Sequence, residues 1–124
     1  MTTQEQENDD AVRMLLCGYR EEVNLYEEIR RVCLEQREAL AVRQDLAQVC
    51  DLLDEKDDIL RLIGEIDVQM SDAKTVVLNL CSEDWPEREK LGEVLDRVTG
   101  VIEDVRRIEQ ETVKCLATPQ PVAV

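Results

Sequence analysis

Histidine and phenylalanine are both missing from the 124 residues, and aromatic side chains reduce to one Trp and two Tyr. Without Phe, a core must be filled mainly by Leu, Val, Ile, Ala and Cys, which suits thin helix seams better than an aromatic-rich sandwich. Without His, the Glu-x-x-His pairs that hold metal inside helical bundles have no ligand set. Only four glycines occur, and no G-x-x-x-x-G-K-[ST], G-x-G-x-x-G or G-x-S-x-G is present, so neither a phosphate cradle nor a nucleophile elbow is expected. Long apolar runs are also lacking, and Met1 to Asp10 is acidic and polar, unlike a signal peptide. These absences lead to an expectation of a cytoplasmic chain with no membrane insertion.

What is present is charge of one sign. Twenty-nine acidic residues against 15 basic ones give a net charge of −14, which repels phosphate backbones and argues against nucleic acid as a partner. Asp51, Asp54, Glu55, Asp57 and Asp58 crowd one stretch. They lack the glycine of a calcium loop and read as a solvated helix face. The cysteines, Cys17, Cys33, Cys50, Cys81 and Cys115, are odd in number and form no C-x-x-C pair. They read as reduced thiols packed as small hydrophobes. Lys114 adjoins Cys115, yet successive helical residues point in different directions and do not make a thiolate. No catalytic, cofactor or metal site is expected.

Helical periodicity dominates the chain. Positions 12, 15, 19, 22, 26, 29, 33, 36 and 40 alternate by three and four, and all but Glu22 and Gln36 are apolar. Extending that phase would bury Arg43, Asp54 and Asp57, so the first helix must end or turn near Val42. Asp45 followed by Gln48 forms a plausible capping box for a second helix. Its seam reads Leu46, Val49, Leu53, Lys56, Leu60 and Ile63, then Ile66, Met70, Ala73, Val77 and Leu80, with a shortened step and an expected kink at Gly64. Asp84-Trp85-Pro86-Glu87 reads as the next cap, with Glu87 answering Asp84 and Pro86 in the first turn. Positions 91, 94, 98, 101, 105, 108, 112 and 115 then alternate strictly.

The expected architecture is all-α: a long antiparallel helical hairpin plus a third long helix, a coiled-coil-like three-helix bundle. Helices are expected near 10–41, 46–81 and 86–117 within one domain spanning 10–117. Residues 1–9 and 118–124 read as disordered ends. Exposed i,i+4 pairs are expected at Glu27–Arg31, Asp57–Arg61, Glu93–Arg97 and Glu103–Arg107.

The stretch Leu25-Tyr26-Glu27-Glu28-Ile29, then Arg37-Glu38-Ala39-Leu40, Asp45-Leu46, and Leu52 through Leu60 resembles the FlgN family of flagellar export chaperones. The shared order is a first helix closing on R-E-A-L, a short turn before Asp, and a second helix bearing L-x-E-K-x-x-L-L. The resemblance covers residues 25 to 66. It implies a bacterial chaperone of flagellar type III export whose long amphipathic helix binds the C-terminal segments of hook-filament junction proteins and keeps them soluble. Short FliT-like helical hairpins are a further relative.

The residues point the same way in one respect. Helix three carries Val or Ile at its seam positions from Val94 to Ile108, widened by Val113 and Leu116. A stripe that wide wants more than one neighbour. Val101, Val105, Ile108, Val113 and Leu116 are therefore the expected partner-binding residues. The alternative reading is a structural coiled-coil protein that buries this stripe by homo-oligomerisation.

Overall fold

A computed structural model describes residues 3–80, 85 and 87–117. Three long helices account for nearly all of them, and no strand occurs among the described residues. Helix α1 spans Thr3–Glu38 and runs into a π-helical turn, Ala39–Arg43; α2 spans Leu46–Leu78 and α3 Arg88–Ala117. At 1.5 Å per residue they are about 45 to 55 Å long.

Helix α1 starts well before residue 10. Side-chain bonds from Gln4 to Asn8 and from Gln6 to Asp10, each 3.0 Å and one turn apart, support its first turns, where acidic side chains also suit the helix dipole. At its other end the π turn widens the helix, Gln44 adopts the left-handed conformation (φ 53), and the amides of Gln44 and Asp45 both return to the Ala39 carbonyl. That closure resembles a glycine C-cap made with a non-glycine residue. The Asp45 side chain then accepts from the Gln48 amide at 3.0 Å, the expected N-cap of α2.

The boundary before α3 differs from expectation. Glu87 has φ 67 and lies outside the helix, its carbonyl accepting from the Leu91 amide. It therefore cannot answer as the third helical residue of a capping box, and α3 begins at Arg88. Asp84, Pro86 and the tail 118–124 lie outside the described residues.

Cross-helix contacts give the topology. Arg30–Asp104, Cys33–Glu109 and Arg37–Glu111 join α1 to α3 at a nearly constant sequence offset, so these helices run parallel. Met70 and Ile66 close on Gly18, and Glu55 on Arg31, so α1 and α2 run antiparallel. Helix α1 packs along both others, whereas α2 and α3 scarcely approach each other by backbone. The wide buried stripe accordingly belongs to α1, which buries Ala11, Gly18 and Val32 beside Leu15, Glu22, Ile29 and Gln36, and Ala39 of the π turn continues it. Helix α3 needs only the narrow seam Leu91, Val94, Val98, Val101, Val105 and Ile108.

The seam of α2 also corrects the expectation. Leu52 and Ile59 are buried, while Leu53 and Leu60 are exposed. With that choice the sequence 49, 52, 56, 59, 63, 66, 70, 73, 77, 80 alternates by four and three without a slip. No kink is needed at Gly64, and α2 is one continuous helix. The expected i,i+4 ion pair of Arg31 with Glu27 is replaced by bonds to Glu35 and Glu55, and Arg61 and Arg107 pair at i,i+3 with Asp58 and Asp104.

Two core clusters result. The first gathers Val12, Leu15, Leu16, Val23, Ile66, Met70, Leu91, Val94 and Val98, with Trp85 packed against it. The second gathers Ile29, Val32, Cys33, Leu52, Ile59, Ile63, Val101, Val105 and Ile108.

Candidate partner-binding surface

The residues expected to meet a partner divide sharply. Val101, Val105 and Ile108 are buried within the second core cluster against α1 and α2, so their assignment as docking residues is corrected: they hold the bundle together. Val113, 62% exposed, is open to a partner. Leu116 falls on α3, but its side chain lies outside the described residues.

The apolar surface that sequence periodicity misplaced is on α2. Lys56 points toward α3, because its Nζ reaches Glu109 Oε1 at 2.7 Å. Residues three before and four after share a helix face with it, which puts Leu53 and Leu60 on the same α3-facing edge, 46% and 43% exposed. Leu46, 69% exposed, continues that edge by another seven residues. On α3 the same geometry around Glu109 aligns Val113 four residues on and Ile102 seven residues back, the latter half-buried. Further along, Leu95 is exposed as well.

The α2–α3 face is thus a shallow groove. The Lys56–Glu109 pair forms its floor, Leu53 and Leu60 one wall, and Ile102, Arg106 and Val113 the other. A concavity lined by Arg106, Glu109, Gln110, Val113 and Lys114 lies on the α3 side. By backbone α2 and α3 approach each other sparsely, although their buried side chains meet in the second cluster beneath this face.

Chemistry in and around the groove is limited. Burial beside Glu109 pushes the Cys33 thiol up from its ordinary range, against the opposing pull of Lys56, and its Sγ donates to Glu109 at 3.7 Å. A thiol so held is a poor nucleophile. Cys17, Cys50 and Cys115 are exposed rather than packed, against expectation: Cys17 and Cys50 fall off the buried stripes of their helices, and Cys115 keeps the α3 seam register but lies beyond Ile108, where that stripe stops being covered; Cys81 lies outside the described residues. Among the described residues no group of three or more His, Cys, Asp or Glu is placed to hold a metal. No described helix is long and apolar enough to cross a membrane.

One polar feature went unassigned on periodicity alone. Glu22, at the fourth position of the α1 seam, is 3% exposed, and its Oε1 has no hydrogen-bond partner. Burial pushes its carboxyl up to about 8, reinforced by hydrogen bonding to Asp67 and by the Asp67 charge, with Lys74 opposing. Tyr26 one turn on is pushed up from its ordinary value by burial and by the charges of Glu22 and Asp67, with Arg106 opposing. A polar residue interrupting an apolar seam was the available signal; the acid facing it from α2 becomes apparent only in three dimensions.

Comparison with protein-family models, curated proteins and solved structures yields no match to this chain.

Proposed function

We propose that the protein is a helix-binding chaperone whose α2–α3 groove receives an amphipathic helix from a partner protein. The single observation that carries this reading is the exposed apolar edge of Leu46, Leu53 and Leu60 on α2 beside exposed Val113 on α3, two helices bridged on this face by Lys56 and Glu109. A helix laid into such a groove anchors side chains at i, i+3, i+4 and i+7, the spacing of the leucines themselves. Each fully buried aliphatic side chain contributes about 1.5–3 kcal/mol, less for those already half covered. Four to six of them therefore reach micromolar affinity, about 8 kcal/mol, only when association costs are modest, as between preformed helices.

The resemblance of residues 25–66 to the FlgN family supplies the partner class. The proposed client is the C-terminal segment of a hook-filament junction protein, kept soluble before flagellar export in the cytoplasm. Lys56 and Glu109 in the groove floor orient that segment by polar contact, and the leucine edge retains it.

The test is the double variant Leu53→Ser/Leu60→Ser. Both side chains are surface-exposed, so the helical signal and melting temperature should hold while capture of the junction-protein segment from the same genome is lost. Capture undiminished by the double variant would place the client elsewhere. Should the wild-type protein ignore the segment but sediment as an oligomer that the double variant turns monomeric, the groove would instead serve self-association.

A further inference from the structure

A second feature lies away from the groove, in the acid buried beside the first core cluster. Glu22 occupies a seam position of α1, between Leu15 and Ile29 in the same register, where every other fully covered residue of its cluster is apolar or glycine. It is nearly sealed from solvent, and among the described residues the side chain that acts on it through a hydrogen bond is another acid, Asp67 of α2. Two carboxyl groups so placed cannot both stay ionised; they hold together by sharing one proton.

We propose that Glu22 is a protonation latch: as a neutral acid donating to Asp67 it closes α1 on α2, and once ionised it loosens the first core cluster while the second stays shut.

The surroundings assign the proton to Glu22. From α2, Asp67 is half-exposed and lies 3.9 Å from the Lys74 ammonium. Lys74 itself sits over the Tyr19 ring of α1, 5.8 Å from its centroid, and its charge only partly opposes the effect of burial on the Glu22 carboxyl. From α1, Tyr19 and Tyr26 flank Glu22 one turn to either side. From α3, the cluster receives Val94 and Val98, and the charge that acts nearby is Arg106, opposite Tyr26. Among the described residues an ionised Glu22 therefore makes no ion pair, faces one acid and has an oxygen already orphaned. Among the described residues the second cluster buries no acid: its buried thiol, Cys33, donates to Glu109, which Lys56 also holds. Opening is thus confined to one half of the bundle.

The experiment follows the Glu22 side-chain carboxyl by carbon NMR on the full chain across pH 5 to 10, together with amide hydrogen exchange divided by its intrinsic rate. The latch requires a Glu22 midpoint near 8. It requires opening at amides of Val12 to Val23, Ile66 to Ala73 and Leu91 to Val98 to rise roughly fifty-fold from pH 6 to 8 and then level off. Amides of Ile29 to Ala39 and Val101 to Ile108 should change little by comparison. Glu22→Gln, which still donates to Asp67 but cannot ionise, should flatten the dependence; Asp67→Asn should lower the wild-type midpoint. A Glu22 midpoint in the ordinary carboxylate range, an equal loss of protection in both clusters, or a Glu22→Gln protein that keeps the pH dependence would each overturn the latch. If Glu22→Gln does not fold, the wild-type midpoint and its displacement in Asp67→Asn decide alone, and an unmoved midpoint overturns the carboxyl pairing.

Discussion

The two halves of the bundle use the same three helices and the same aliphatic side chains, yet they handle polar seam positions in opposite ways. Around Ile29, Cys33 and Ile59, the seam lysine of α2, Lys56, meets Glu109 at 2.7 Å, and Arg30, Arg31 and Arg37 of α1 each reach an acid on another helix. Around Leu15, Glu22 and Met70, the seam carboxyl meets a second carboxyl instead. The first arrangement is self-satisfied at neutral pH, while the second depends on a proton. The arginine pairs are worth little individually, because their side chains are roughly 40–50% exposed, and surface pairs of that kind contribute about 0–1 kcal/mol each. The difference between the halves therefore lies mainly in the cost of the unmatched acid, not in the strength of the matched ones.

The largest expected effect breaks the comparison at Glu22. Its folded-state value of about 8 lies above the ordinary 4.5, so the folded protein holds a proton that the unfolded chain has released between those values. Stability from this group is full below about 4.5 and falls by about 1.4 kcal/mol per pH unit as pH rises toward 8, then levels off. Urea unfolding of wild type and Glu22→Gln should therefore diverge with rising pH, the variant being more stable by about 2–4 kcal/mol at pH 8. Parallel stability curves would show that Glu22 costs nothing.

Next in size is Gly18, which packs directly against α2. A Cβ there would meet the Met70 thioether sulfur and stand 2.8 Å from Met70 Cγ, and Met70, itself fully buried, would have to shift. Gly18→Ala should destabilise by about 1–3 kcal/mol despite the better helix propensity of Ala. A gain in stability by thermal melting would mean the helices can part at low cost in the first half.

Much of this was readable from sequence, and the failures have physical causes. The α1 and α3 registers and the Asp45 cap followed from spacing: the expected seam positions from Val12 to Cys33 and from Leu91 to Ile108 are mostly the ones buried, and Asp45 caps α2. Helix α2 contains the adjacent apolar pairs Leu52-Leu53 and Ile59-Leu60, so two phases compete, and only the packed partner selects between them. Choosing Leu53 and Leu60 manufactured a kink at Gly64 and at the same time hid the exposed edge that forms the groove wall. The width of the α3 stripe was overread for a related reason: a sequence does not say which of three helices lies in the middle. Burial on α1 of two adjacent stripes, rather than on α3, is what sends Val101, Val105 and Ile108 into the core.

A smaller effect sharpens the second half. Lys56→Met keeps the aliphatic stem but removes the cation from Glu109, a residue 45% exposed at its side chain. The loss should be about 1 kcal/mol or less and should shrink as salt is raised, because the remaining acid can turn to water. A loss of several kcal/mol, insensitive to salt, would make the Lys56–Glu109 pair a buried core element rather than the floor of an open groove.

The smallest expected effect is at Gly64, and it bears on both the fold and the groove. The unbroken α2 seam removes any need for a flexible residue there, and a Cβ at Gly64 would meet nothing within 4 Å. Gly64→Ala should accordingly raise stability by up to about 1 kcal/mol through reduced backbone entropy in the unfolded chain. The position is also four residues beyond Leu60 on the α3-facing edge, where a docked helix would find no side chain to hold it off. A partner backbone that settles closely over this point would be lifted by the added methyl. If Gly64→Ala is more stable yet captures the partner segment several-fold more weakly, the occupant lies across Gly64, in the middle of α2. If capture is unchanged, the occupant is confined to the end of the groove walled by Leu46, Leu53 and Val113, beside the half of the bundle that pH leaves closed.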